Sequence, residues 1–279
     1  MVERHRTRKD GAVALAAAAT GLLLCAAGCS GGGAASDDAR AAEEPVEVLH
    51  GAAGKLVRAG TSKVRTSMEM ATGGTRVTIR GEGVYDFGDR LGRLKVLLPQ
   101  DPAGTDGHRP ITELLAPGAL YMKNRGAGVP ADKWVRVDTA TLSDGNLVTG
   151  GATDPFAAAE LLLGARRVTY VGRTSVAGTA VRHYRGTADL AVAARDASRH
   201  NRAVLRAAAE GFATAAVPFD VYLDEQGRIR KVRHRFGFVN GQREDAVAVS
   251  STTLLYDFGA AVHVRLPAER DIYAGRIAE

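Results

Sequence analysis

Apolar and polar residues alternate along much of this chain from residue 61 onward, and a period of two predicts half-buried strands. In "SKVRTSMEM", Val64, Thr66, Met68 and Met70 fall on one face and Lys63, Arg65, Ser67 and Glu69 on the other. "TRVTIRGEGVYDF" repeats the pattern through Val77, Ile79, Gly83, Tyr85 and Phe87, with turns at "TGG" before it and "GDR" after it. Leu94, Val96 and Leu98 carry the alternation on, so the first half reads as an antiparallel meander. Further short strands are expected at "GALYMKN" and "KWVRVD", and a strand pair at "RRVTYVGRTSV" and "TAVRHYRGTA" around the turn "AGT". A hairpin follows in "PFDVYLDEQGRIRKVRHRFGF" around "DEQGR", and "VAVSSTTLLYDFGAAVHVRLP" supplies the last strand.

Helical spacing replaces alternation in three places. "EEPVEVLHGAAGKLVRAG" sets Val46, Leu49, Ala53, Leu56 and Val57 on one side, with Pro45 suited to the first turn and Gly60 to the stop. "TDPFAAAELLLGA" opens with a capping Asp154 and Pro155 and ends at Gly164, which predicts a short helix. The longest helix is expected from Asp189 to about Ala213, with Leu190, Ala194, Ala197, Val204, Leu205, Ala208 and Phe212 along one side. Runs of strands interrupted by a few helices imply an α+β fold and not alternating βαβ units. Each strand has one apolar face, so the expected sheet is single and covered on one side by the helices. A large curved sheet covered in this way leaves space between its layers for an apolar ligand.

The N-terminus has a different pattern. Met1 to Asp10 carries Arg4, Arg6, Arg8 and Lys9, and Ala12 to Ala27 is uncharged and mostly apolar, the marks of a secretory signal peptide. Ala26-Ala27-Gly28-Cys29 resembles the lipobox of bacterial lipoproteins, with Ala26 standing where leucine is usual. That resemblance implies that the Cys29 thiol takes a diacylglyceryl group and that Cys29 becomes the first residue. The chain then divides into a signal peptide at 1–28, a tether at 29–44 and one domain at 45–279. The tether, which includes Asp37, Asp38, Glu43 and Glu44, has no aromatic or large aliphatic side chain and cannot bury enough surface to fold. The expected location is the extracytoplasmic face of the cell membrane, held through the lipid anchor.

Only two cysteines occur, Cys25 and Cys29, so the domain itself has none for disulfides or thiolate metal sites. Residues 1–28 hold four Lys/Arg and two Asp/Glu, so cleavage lowers the formal charge from +6 to +4. This modest excess suits an anionic membrane surface. No aromatic-interleaved basic motif points to nucleic acid.

The chemistry-bearing residues are dispersed. His50, His183, His200 and His234 form no His-Glu-x-x-His arrangement, and "DEQGR" lacks calcium-loop spacing. No nucleophile elbow, phosphate loop or dinucleotide fingerprint occurs, so no catalytic residue, metal or cofactor is expected, and no enzyme. Trp134 reads as a core or rim anchor. Arg195, Arg199, Arg202 and Arg206 share one helical face, and Arg228, Arg230, Lys231, Arg233 and Arg235 lie on the late hairpin. Both groups read first as solvated faces, the alternatives being anionic headgroups and an acidic partner.

Several stretches taken together resemble a known family. The lipobox, "KWVRVD" before "DPFAAAELLLGA", "GTAVRHYRGTADL", "VPFDVYLDEQGRIRKV" and "YDFGAAVHVRLP" are similar, in this order, to actinobacterial lipoproteins of the LppX/LprG type in the LolA-like superfamily. The resemblance implies a curved antiparallel β-sheet, a half-barrel, with helices covering the concave face around a hydrophobic cavity. It also implies a lipid or glycolipid ligand carried through the envelope. Candidates for the cavity wall are Val64, Met68, Val77, Ile79, Tyr85, Leu94, Val96, Leu98, Leu120 and Met122, with Phe156 to Leu163, and in particular Phe156 and Leu162, as the lid. The alternative is a non-enzymatic envelope interaction or stress-sensing module that binds a protein partner.

If the lipobox acts as one, Cys29→Ala releases the protein into the culture medium and abolishes metabolic labelling with a lipid precursor. A variant that stays membrane-bound and labelled contradicts the assignment.

Overall fold

The alternating segments pair into one open antiparallel sheet of eleven strands, ordered β6-β5-β4-β3-β2-β1-β11-β10-β9-β8-β7. The structure, a computed structural model, describes residues 44–72, 75–99, 109–126, 128–239 and 246–275, all within the unit Ala41–Glu279. Cys29, the segments expected to be a signal peptide and a tether up to residue 43, and the glycines of the "TGG" turn lie outside the described residues. One wing holds β1 (Thr61–Thr72), β2 (Thr75–Asp86), β3 (Leu91–Leu97), β4 (Ile111–Ala116), β5 (Ala119–Lys123) and β6 (Val135–Asp138). The other holds β7 (Ala165–Val176), β8 (Thr179–Asp189), β9 (Ala216–Leu223), β10 (Ile229–Val239) and β11 (Ala246–Tyr256). The β1–β11 pairing joins the wings, and β6 and β7 remain as edges, so the sheet curves as a half-barrel without closing. This is the fold class that the sequence implies.

Two glycines allow the curvature. Gly81 and Gly83 occupy successive inward positions of β2, where a side chain on Gly81 would collide with Thr66 and one on Gly83 with the backbone of β3. Glycine at such a point lets neighbouring backbone close in and the sheet bend.

The inner layer is made of short pieces. These are α1 (Pro45–His50), α2 (Ala52–Ala59), α3 (Pro155–Glu160) with the 3-10 turn Leu161–Gly164, α4 (Leu190–Asp196) and α5 (Arg199–Gly211). The α1 helix packs on β7, α2 on β1 and α3, α3 on β10, and α4 on β8 and α5. The expected cap is present: Asp154 accepts from the Phe156 and Ala157 amides at 2.7 and 3.0 Å. Tyr85 donates its hydroxyl to the same carboxylate at 3.1 Å, which ties α3 to the sheet.

Four sequence expectations are corrected. The first helix is two, meeting at Gly51. The long helix is also two, because Ala197 and Ser198 are extended, with ψ of 160° and 154°. Buried Glu160 holds that break: it accepts from Ser198 N at 3.0 Å, Ser198 Oγ at 2.9 Å and Asn201 Nδ2 at 2.7 Å. A helix start leaves such backbone donors without internal partners, and the carboxylate supplies one. The strand β3 stops at Leu97, so Leu98 lies beyond it and is 37% exposed. "ITELLA", where alternation predicts no strand, is β4, and it turns through Pro117 and Gly118 into β5. On β7, Tyr170 and Val171 are exposed.

Replacing Glu160 by alanine leaves buried donors unsatisfied and uncaps α5. The expected loss is on the order of 2–4 kcal/mol in urea unfolding. An unchanged midpoint would show that α5 needs no such cap.

Candidate functional site

Strand register aligns the inner face into three rows. The first runs Leu255, Val64, Gly83, Leu94, Glu113, Met122 and Val135 from β11 to β6. The second runs Tyr184, Val221, Val232, Thr253, Thr66, Gly81, Val96 and Ile111 from β8 to β4. The third runs Gly186, Phe219, His234, Ser251, Met68 and Ile79 from β8 to β2. Of the residues singled out in the sequence, Val64, Met68, Ile79, Tyr85, Leu94, Val96, Leu120, Met122, Phe156 and Leu162 are buried in one apolar cluster. Val77 is half-buried at its margin, and Leu98 stands outside it.

The chain itself covers this face between β6 and α3. Asp144, fully buried, accepts from the amides of Asn146 at 3.0 Å, Val148 at 2.8 Å and Thr149 at 2.6 Å, so the loop is wound about one carboxylate. Thr153 donates to Leu147 O at 2.7 Å and meets Ser251 Oγ at 2.6 Å, which pins the loop to β11. Gly151 lies over Ile79 and Val96, and Ala152 over Gly81. Phe156 stands 6.5 Å from Phe87, with the Arg90 guanidinium 4.9 Å above its ring.

Two ionisable side chains on the inner rows have unpartnered atoms. Among the described residues neither carboxyl oxygen of Glu113 has a hydrogen-bond partner, and the residue is fully buried. Burial pushes this carboxyl up to about 8, and the Arg125 charge opposes the shift only in part. Arg125 directs its guanidinium to Gly150 O at 3.2 Å and Thr149 O at 3.3 Å. His234 has an unpartnered Nε2, and burial lowers its pKa to about 3. Both groups are therefore neutral at neutral pH. Glu113 escapes the sequence reading because β4 does. The available sign is the Pro117-Gly118 turn between two apolar runs, which marks a hairpin and places Ile111, Glu113 and Leu115 on one face.

The outer face is basic. On it, Asp220 is buried among His183 at 2.8 Å, Arg185 at 2.8 Å and Arg235 at 2.6 Å. Burial alone would raise its carboxyl, but hydrogen bonds from Arg185, His183 and Arg235 outweigh it and hold the group at about 2. The basic hairpin is thus partly neutralised: Arg228 also pairs with Asp224 at 2.8 Å, while Arg233 donates to the neutral hydroxyl of Ser250 at 2.7 Å. After β11 the chain returns to β6, where Trp134 and Tyr273 join the two segments by a backbone hydrogen bond. Trp134 is a wall residue here, lining an outer depression of about 500 Å³ with Arg93, Thr112, Leu114, Lys123, His263 and Arg265. Arg195, Arg202 and Arg206 line another, of about 520 Å³, with Glu210; Arg199 is not part of it. Among the described residues no three His, Cys, Asp or Glu side chains are grouped to hold a metal, and no helix is long and apolar enough to cross a membrane.

No protein-family model and no curated protein matches the chain. Among solved structures it is similar to the lipoprotein LppX of Mycobacterium tuberculosis, at 12% identity and a TM-score of 0.45 over 78% of this chain and 99% of that one. It is also similar to LprF of Mycobacterium bovis, at 14% identity and a TM-score of 0.40 over 80% and 97%. A LolA superfamily protein of Nitrosomonas europaea is similar at 11% identity and a TM-score of 0.33 over 76% and 93%. These are likenesses of fold, too distant to bring a ligand or partner to this chain.

The buried Glu113 makes stability depend on pH. Its carboxyl titrates near 4.5 when unfolded and at about 8 in the fold, so the folded state holds more protons between these values. Stability therefore falls as pH rises through this window. Glu113→Leu is expected to raise stability by about 1–3 kcal/mol at about pH 4, where the carboxyl is neutral but unpartnered, and by on the order of 4 kcal/mol more at about pH 9. Parallel urea titrations at the two pH values check this, and an equal effect at both would contradict it.

Proposed function

We propose that this protein is exported, anchored through a lipid on Cys29 at the extracytoplasmic face of the membrane, and binds a lipid or acylated molecule between its curved sheet and inner layer. The observation that supports this most directly is the largely apolar inner face under a cover of short, separately tied pieces. Helices of 6, 7 and 13 residues have little stability alone, so this cover is held by its contacts with the sheet. Such a cover can part from the sheet without the strands unpairing. The loop at Gly151 and Ala152 rests on Val96 and Gly81, so an acyl chain enters by lifting that loop.

The reading requires no reactive group and makes the protein a carrier or presenter, not an enzyme. Exposing an acyl chain of about 15 methylenes to water costs on the order of 12 kcal/mol, at about 0.8 kcal/mol per methylene. An inner face lined by Val64, Met68, Ile79, Leu94, Val96, Leu120 and Met122 replaces the membrane as solvent for it. A second reading, binding of an acidic envelope protein, is favoured by the outer depression in which Arg93, Lys123, His263 and Arg265 stand together with no acid among its lining residues.

Native mass spectrometry of protein purified from its own host tests the lipid reading. The wild type is expected to carry a mass adduct that organic solvent extracts. Val96→Trp, which adds an indole where Gly151 rests on the sheet, is expected to lose the adduct at an overpacking cost of about 1–3 kcal/mol. Wild type recovered at its apoprotein mass would overturn the lipid reading and leave the second.

A further inference from the structure

We infer that Glu113 is the polar contact of the inner site, its carboxyl O–H donating a hydrogen bond to the ester or amide carbonyl that joins an acyl chain to its head. The inference rests on the lipid reading above and specifies what part of the ligand the site recognises.

The placement is unusual for a glutamate. Glu113 lies in the middle of an inner row, between Leu94 on β3 and Met122 on β5, with Ile111 and Leu115 as its same-face neighbours along β4. All four are buried apolar side chains. The remaining basic groups of this region, Arg93, Lys95 and Lys123, belong to the opposite face in the strand alternation. The charged group that acts on Glu113 is Arg125, and its guanidinium is already used on the carbonyls of Thr149 and Gly150.

A carboxyl group in this position has only three ways to be satisfied: water, a protein partner or a ligand. Neither oxygen has a partner among the described residues, and Leu94, Met122, Ile111 and Leu115 offer no polar atom to hold a water in place. A leucine would pack here without the desolvation cost, so the carboxyl serves something that is not part of the described protein. The neutral acid offers one O–H donor and a carbonyl acceptor. An ester carbonyl needs a donor, and an amide or hydroxyl needs both. A hydrocarbon chain needs neither, so Glu113 separates acyl lipids from plain hydrocarbon and sets how far the chain slides along the sheet. The donor exists only while the group is protonated, so contact is lost as pH rises through about 8.

The test uses the full chain with Cys29→Ala, so that no acyl group of its own competes. The protein is incubated with equal amounts of methyl palmitate and heptadecane, reisolated by gel filtration, and its bound ester and alkane are quantified by gas chromatography. The ester-to-alkane ratio is expected to fall about tenfold between about pH 6.5 and about pH 9.5. Glu113→Leu should show the low ratio at both pH values, and Glu113→Gln, which keeps a donor, the high ratio at both. A ratio that ignores pH and the leucine replacement overturns the role of Glu113 while leaving a lipid-binding protein. Retention of neither probe overturns both readings together.

Discussion

An open sheet of eleven strands must have one face covered, and the rest of this structure follows from that constraint. Rows of Val, Leu, Ile, Met and Phe side chains on the inner face cannot stay in water, and with no second sheet among the described residues the cover has to come from the connections between strands. The chain supplies it at three points: before β1, between β6 and β7, and between β8 and β9. Each piece is too short to stand alone, and the two later ones are fixed by a small number of buried polar contacts. Asp154 with Tyr85, Glu160 with Ser198 and Asn201, and Thr153 with Ser251 are the principal ones. Hydrophobic burial holds the cover down, and these hydrogen bonds decide where it sits.

Buried carboxylates show how strongly placement determines behaviour. Asp220 on the outer face is enclosed by two arginines and a histidine, and their hydrogen bonds keep it ionised down to about pH 2. Glu113 on the inner face is enclosed by Leu94, Met122, Ile111 and Leu115, and is neutral up to about 8. Asp144 and Glu160 are buried as well, yet each is satisfied by backbone or side-chain donors. Glu113 differs from all of these in having both oxygens without a partner, and it lies on the face that the proposed ligand would occupy.

Much of the sheet is legible in the amino-acid sequence. Alternation fixes the face of each side chain, so spacing alone assigns Val64, Met68, Ile79, Leu94 and Val96 to one surface. Asp154 followed by Pro155 identifies the start of α3 in the same way, because capping depends on residues adjacent in sequence. Alternation has no built-in end, however, and it carries Leu98 one step past a strand that stops at Leu97. A glutamate at the inward position of "ITELLA" breaks the expected pattern and conceals β4.

Local sequence therefore determines most of the strands, the Asp154 and Asp189 caps and the one-sided apolar face, since these depend on periodicity and near neighbours. It also holds the export and lipobox-like pattern, which lies outside the described residues. Tertiary structure alone decides what depends on partners far along the chain. Gly51 and the Ala197-Ser198 pair look continuous with their helices, and the second break is held by Glu160, 38 residues before Ser198. The pairing of β1 with β11 brings Lys63 opposite Tyr256, and the inner loop sets Thr153 against Ser251 on β11. The isolation of Glu113 is likewise a property of the assembled sheet. A carboxylate in a sequence is a charge, and it becomes a neutral donor only when Leu94 and Met122 from neighbouring strands exclude water from it.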